Sequence, residues 1–224
     1  LAGALKAHVS DYDVDVIDSQ SASRLVPAAV EGGLHQIETA SGAVLKARSV
    51  IIATGSKTLI LPIEGIDNPA IIHGSDLLDG KRAAGKKVLV VGGGMVGCET
   101  AAFLGEQEHD VTVIEFRDTV GADVIHEHRV YLMKDFEDYG IKEITGAKVC
   151  KFYEDGVEYE TADGVRHESR GYDSVILSMG FRNYNPLEEK IKDLVPETHV
   201  IGDAIRARRA LDATKEAYEV ASRI

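Results

Sequence analysis

Residues 87–115 constrain the fold more than any other part of the chain. Val88, Leu89, Val90 and Val91 run without a polar break into Gly92-Gly93-Gly94, and Met95-Val96-Gly97 leads on into a helix-forming stretch that reaches Leu104. An aliphatic run of that kind has both faces buried, as a strand of a parallel sheet does. A second run, Val111 to Ile114, follows after a helix-length interval. Strand, glycine turn, helix and strand together predict a βαβ unit with parallel strands.

Gly92, Gly94 and Gly97 form a G-x-G-x-x-G pattern. Three glycines also occur in turns that hold no ligand. Here, however, a strand precedes them, a helix follows, and an acid, Glu115, ends the second strand. Gly92 permits the tight turn, Gly94 lets a pyrophosphate approach the backbone, and Gly97 lets the helix pack close on the strand. The N–H groups of Met95 and Val96, at the positive end of the helix, point to an anion. Glu115 lies 23 residues after Gly92, the spacing of a carboxylate that accepts from ribose hydroxyls. That carboxylate repels a 2′-phosphate and favours NAD(H) over NADP(H), whereas Arg117, two residues on, pulls the other way. A methyltransferase using S-adenosylmethionine shares the glycine-rich loop and the acid after strand two, but nothing here resembles its later motifs.

Charge removes other classes of partner. The net charge is −12 with no lysine- or arginine-rich block, so neither nucleic acid nor a membrane surface is expected to bind. No apolar run approaches the roughly 20 residues of a membrane span. The first eight residues lack the basic start and apolar core of a secretory signal. Cys98 and Cys150 are the two cysteines and form no C-x-x-C, which fits a reducing cytoplasm and argues against a disulfide framework.

Periodicity predicts a helix over 1–10, a strand over 11–18, and strands over 34–39 and 43–47 about the Ser41-Gly42 turn. A strand over 49–53 and an irregular connector over 56–69 follow. Residues 123–138 read as helix, and Asp155-Gly156 and Asp163-Gly164 as hairpin signals. Strands are expected over 174–180 and 199–204, separated by a connector through Pro186 and Pro196, with a final helix over 211–224. Cys98 reads as packing at the start of the glycine-motif helix, and Cys150 as a small buried strand residue. His126-Glu127-His128 reads as a solvated helix face rather than a metal site, because residues i and i+2 diverge on a helix. No catalytic side chain is assigned.

Two flanking stretches extend this reading. Val50 to Ser56 is a strand ending in Ala53-Thr54-Gly55, and His199 to Ala204 is a strand ending in Gly202-Asp203-Ala204. With the glycine motif between them, they resemble the two-dinucleotide-binding-domain flavoprotein reductases. The resemblance implies an α/β fold in which a Rossmann-like NAD-binding domain (56–195) is inserted in a partial FAD-type domain (1–55 and 196–224). Ala53, Thr54 and Gly55 would make the first crossing, and Met179 and Gly180 the second. Gly202 and Asp203 would meet FAD, and Glu99, in G-x-G-x-x-G-x-E, would lie near the nicotinamide.

Residues 1–55 resemble the flavoprotein subunit of alkyl hydroperoxide reductase. Residues 52–224, with Arg208-Arg209-Ala210-Leu211-Asp212-Ala213, resemble the C-terminal region of NADH-dependent ene-reductases. A fragment, a chimera or a natural mosaic joined in the shared A-T-G strand is the expectation. The redox C-x-x-C that the peroxide-reductase flavoprotein carries before its NAD motif has no counterpart in residues 71–80. The first glycine-rich βαβ unit of the FAD domain precedes the matched region in both families. The implied activity is hydride transfer from NADH to FAD. The alternative is an NAD(H)-binding module without turnover. A homodimer is compatible with the family, and the final electron acceptor is not specified by these residues.

Overall fold

The computed structural model describes Val16, Ile17 and residues 20–224. The helix expected over 1–10 lies outside the described residues, as does most of the strand expected over 11–18. The elements, in chain order, begin with β1 (Ala22–Val26), β2 (His35–Thr39), β3 (Val44–Ala47), β4 (Val50–Ile52), β5 (Ser56–Thr58) and β6 (Ile72–His73). Then come α1 (Gly74–Leu78), β7 (Lys87–Val91), α2 (Met95–Glu106), β8 (Asp110–Ile114), α3 (His126–Asp138) and β9 (Lys142–Ile144). Next are β10 (Lys148–Tyr153), β11 (Gly156–Glu160), β12 (Arg166–Arg170), β13 (Ser174–Leu177) and β14 (Phe181–Asn183). Last are α4 (Glu188–Ile191), β15 (Thr198–Val200), a 3₁₀ turn (Gly202–Ala204) and α5 (Ala210–Ala221).

Contacts divide the chain into two units. Lys57–Arg182 form one, and the residues up to Ser56 join Asn183–Ile224 in the other. The chain thus re-enters the first unit at Asn183, ahead of the expected boundary at 196.

In the 57–182 unit, β6, β13, β7, β8 and β9 lie side by side in that order, all parallel. Alternate residues of a strand face opposite sides, which explains why β7 is apolar throughout. Val88 and Val90 pack with Val111, Val113, Ile176 and, on α2, Cys98, Ala101 and Leu104, while Leu132 and Phe136 of α3 close this side. Leu89 and Val91 face the other way, onto Val149, Phe152 and Val157 of the antiparallel sheet β10-β11-β12. Each of these buried aliphatic side chains contributes about 1.5–3 kcal/mol. The chain passes from β7 through α2 to β8 on one side, while β13 lies on the other. The order therefore reverses between β7 and β13, and the crevice beyond their C-terminal ends is where open α/β sheets take ligands.

The other unit contains the antiparallel meander β1-β2-β3 and the parallel pair β4-β15. The Ser41-Gly42 turn joins β2 to β3 as expected, and Asp163-Gly164 lies between β11 and β12. The strand expected over 199–204 stops at Val200, because Gly202 takes a φ of +63° and opens the 3₁₀ turn. The helix expected from 123 begins at His126, with Ile125 still extended. Strand β1 and the short helices α1 and α4 carry too little periodicity to be read from sequence.

Candidate dinucleotide-binding site

The turn between β7 and α2 is shaped by glycines at closer tolerance than the motif requires. Gly92 has a φ of +105°, and a Cβ there would lie 2.4 Å from the Ser178 carbonyl oxygen. A Cβ on Gly97 would lie 1.8 Å from the Gly92 carbonyl oxygen, so the first turn of α2 rests directly on the backbone of the loop. Gly93, which the pattern leaves open, is equally confined: its Cβ would meet Val120 at 2.8 Å and Glu115 at 2.9 Å. Gly94 is less confined: a Cβ there would meet only the Asp123 carboxylate, at 3.2 Å.

Glu115 closes one flank of this loop. Its Oε2 accepts from the Gly93 N–H at 2.6 Å and its Oε1 from the Arg117 N–H at 2.9 Å. The carboxylate is thereby fixed in place, and the lone pairs left over can accept from ribose hydroxyls. The Arg117 side chain is exposed. Asp123 stands over the start of α2, where its Oδ1 accepts from the Met95 N–H at 3.0 Å. Nothing in the sequence signals that contact, which joins residues 28 positions apart. The glycine cradle, the α2 N-terminus and the pre-set Glu115 fit the pyrophosphate and ribose of a dinucleotide.

Around the same crevice, Ser178 Oγ and His73 Nδ1 are buried without hydrogen-bond partners among the described residues. Ser178 borders a cavity of about 10 Å³, also lined by Gly74, Val96 and Gly180. That is room for one water. The Gly180 carbonyl accepts from the Leu59 N–H at 2.9 Å, and Met179 packs against the core beneath β7. Glu99, at the surface of α2, faces His128 of α3 with Oε1 3.4 Å from Nε2. Among the described residues no group of three or more His, Cys, Asp or Glu could hold a metal ion.

Cys98 is fully buried, and its Sγ donates to the Gly93 carbonyl at 3.2 Å. Burial pushes its pKa from 9.0 up to about 12. Cys150 departs from expectation: it is partly exposed, with its Sγ 3.2 Å from the Lys148 carbonyl oxygen. Iodoacetamide at pH 8 should therefore label Cys150 and spare Cys98, and equal labelling would contradict this packing. Well below pH 9 the Cys98 thiol is neutral in both folded and unfolded chains, so its contribution to stability is intact. Between pH 9.0 and about 12 only the unfolded chain ionises. Stability is then lost as pH rises, and Cys98→Ala should flatten that decline.

In the other unit, the Thr54 hydroxyl donates to the Tyr184 carbonyl at 2.5 Å, and the Gly55 carbonyl accepts from the Tyr184 N–H at 2.9 Å. Ala53 precedes this pair, directly after β4. Asp203 accepts from the Ser56 hydroxyl at 3.1 Å and from the Arg208 N–H at 3.0 Å. The Gly202 N–H donates to Glu216 at 2.7 Å. Arg208 pairs with the same Glu216, and together these two contacts hold its carboxyl below the ordinary range. The Gly202-Asp203 turn is thus rigidly placed. Among the described residues Gly92–Gly97 is the one glycine-rich turn from strand to helix. The FAD pyrophosphate has no such cradle among the described residues of this unit.

The sequence pattern of pyridine nucleotide-disulphide oxidoreductases matches residues 6–203. The chain belongs to that family. Its relatives include an alkyl hydroperoxide reductase component of Escherichia coli K12, 51% identical over 139 residues, which are 61% of this chain and 27% of that protein. That likeness is longer than the 55 residues on which the motif resemblance to such proteins rests. Cinnamate reductase of Clostridium sporogenes is 30% identical over 181 residues, 80% of this chain and 27% of that protein. Among solved structures, 2-naphthoyl-CoA reductase in complex with 2-naphthoyl-CoA superposes with a TM-score of 0.72 at 29% identity. The match covers 79% of this chain and 27% of that one. This member of the family therefore spans about a quarter of the length of each of these relatives. Among its described residues no helix is long and apolar enough to cross a membrane.

Proposed function

We propose that the 57–182 unit binds NAD(H), with the pyrophosphate over Gly92–Gly97, as the pyridine-nucleotide module of a flavin-dependent oxidoreductase. The observation that carries this reading is the meeting, where the strand order reverses, of the Gly97–Gly92 contact, the start of α2 and the fixed Glu115 carboxylate. In this reading Met95 and Val96 offer backbone N–H groups to the phosphates, and Glu115 orients the adenosine ribose. Glu99, Met179 and Gly180 border the nicotinamide end. Gly202 and Asp203 hold part of FAD, and Ala53, Thr54 and Gly55 fix the crossing strand that positions them. Bound flavin supplies the hydride acceptor. The side chains bind and orient, and none has to move a proton for that step. Two free thiols and the acidic surface suit a cytoplasmic setting, and sedimentation distinguishes a monomer from a homodimer.

A second reading, an NAD(H)-binding module without turnover, is favoured by two observations: Asp203 is already engaged by Ser56 and Arg208, and no second glycine cradle lies among the described residues. Visible spectroscopy separates the two. The reductase reading expects flavin absorbance after FAD is added, bleached by NADH. A protein that stays colourless, yet melts at higher temperature with NADH, supports the module. We further expect NADH to bind more tightly than NADPH, because Glu115 repels a 2′-phosphate. Equal affinities in calorimetry would show that Arg117 offsets it.

A further inference from the structure

The carboxylate of Asp123 lies in the space that Gly94 leaves open. It accepts from the Met95 N–H at 3.0 Å, and its two oxygens are 3.2 and 3.4 Å from where a Gly94 Cβ would stand. Both features belong to a phosphate in a glycine-rich loop: an oxygen on the first N–H of the helix, and close approach to the second glycine. The segment that carries Asp123 is tied to the loop, since the Gly121 N–H donates to the Gly93 carbonyl at 2.7 Å. Arg129 of α3 holds the same segment from below through Thr119 and the Val120 carbonyl. The side chain itself is exposed and free to turn outward.

We propose that Asp123 is an internal competitor for the pyrophosphate position. With the loop empty, its carboxylate satisfies the start of α2. When a nucleotide binds, it has to leave, because two anions cannot share one N–H and the charge repulsion is unfavourable at that distance. Apparent affinity is lowered by the fraction of molecules in which Asp123 blocks the place. This rests on the reading of Gly92–Gly97 as a dinucleotide loop and assigns to Asp123 the setting of its affinity.

The test is calorimetric titration of the wild-type chain, Asp123→Ala and Asp123→Asn with ADP-ribose and, separately, with adenosine. ADP-ribose carries the pyrophosphate and adenosine carries none. Removing a cap-type carboxylate should raise the affinity for ADP-ribose roughly three- to thirtyfold and leave adenosine unchanged. Asp123→Asn, which keeps an acceptor oxygen without the charge, should fall between, and it keeps the test open if the alanine variant folds poorly. Equal or weaker binding of ADP-ribose by both variants overturns the proposal while leaving the dinucleotide reading intact. Failure of every form, wild type included, to bind ADP-ribose overturns both.

Discussion

Gly97→Ala should lose nucleotide binding and much of the stability of the 57–182 unit together. The added Cβ would stand 1.8 Å from the Gly92 carbonyl oxygen, and neither partner can swing aside, because one is a backbone atom and the other sits on a buried helix turn. Overpacking of this kind costs typically 1–3 kcal/mol, and a backbone clash places it near the upper end, about 3 kcal/mol. For a chain of this size that lowers the melting temperature by roughly 6–12 °C. The displaced α2 no longer aims its N–H groups at the loop, so NADH affinity should fall at least about tenfold, or about 1.4 kcal/mol. Gly94→Ala provides the contrast. Its Cβ meets only the Asp123 carboxylate, at 3.2 Å, and that side chain can move. Stability should change little while binding is lost, because the methyl group would occupy the approach proposed for the phosphate. Thermal melts of the two variants, paired with titrations, check this separation.

The second large effect is expected at Glu115. Replacing it by alanine removes the proposed ribose acceptor and strands the Gly93 and Arg117 N–H groups that its two oxygens now satisfy. A hydrogen bond to a charged group is worth about 1.5–3 kcal/mol, so NADH affinity should fall about ten- to a hundredfold. NADPH should lose less, because the repulsion of its 2′-phosphate disappears with the carboxylate. Retention of a strong NADH preference in Glu115→Ala would show that some other group makes the choice.

These two sites also mark how far the sequence could be read. The run Val88–Val91, the glycine spacing and Glu115 are local signals, each confined to one element, and the turn and flanking strands follow from them. The hairpins about Ser41-Gly42 and Asp163-Gly164 are legible for the same reason. What could not be read depends on pairs distant in the chain. The confinement of Gly93 comes from Val120, and the role of Asp123 comes from a backbone group 28 residues away. The late start of α3 has the same origin: Asp123 spends its carboxylate on α2 rather than capping its own helix, which starts at His126 after an extended Ile125. Cys150 is misjudged because an apolar-looking strand, Lys148–Tyr153, buries Val149 and Phe152 but leaves the intervening residues half-covered.

Backbone amide NMR shows whether Gly92–Gly97 holds the nucleotide. With ¹⁵N-labelled protein titrated with NADH, the largest shifts are expected at Gly93, Gly94, Met95 and Val96, with smaller ones at Glu115 and Asp123. Saturating NADH that leaves those amides unmoved, or moves a different region instead, would contradict this placement.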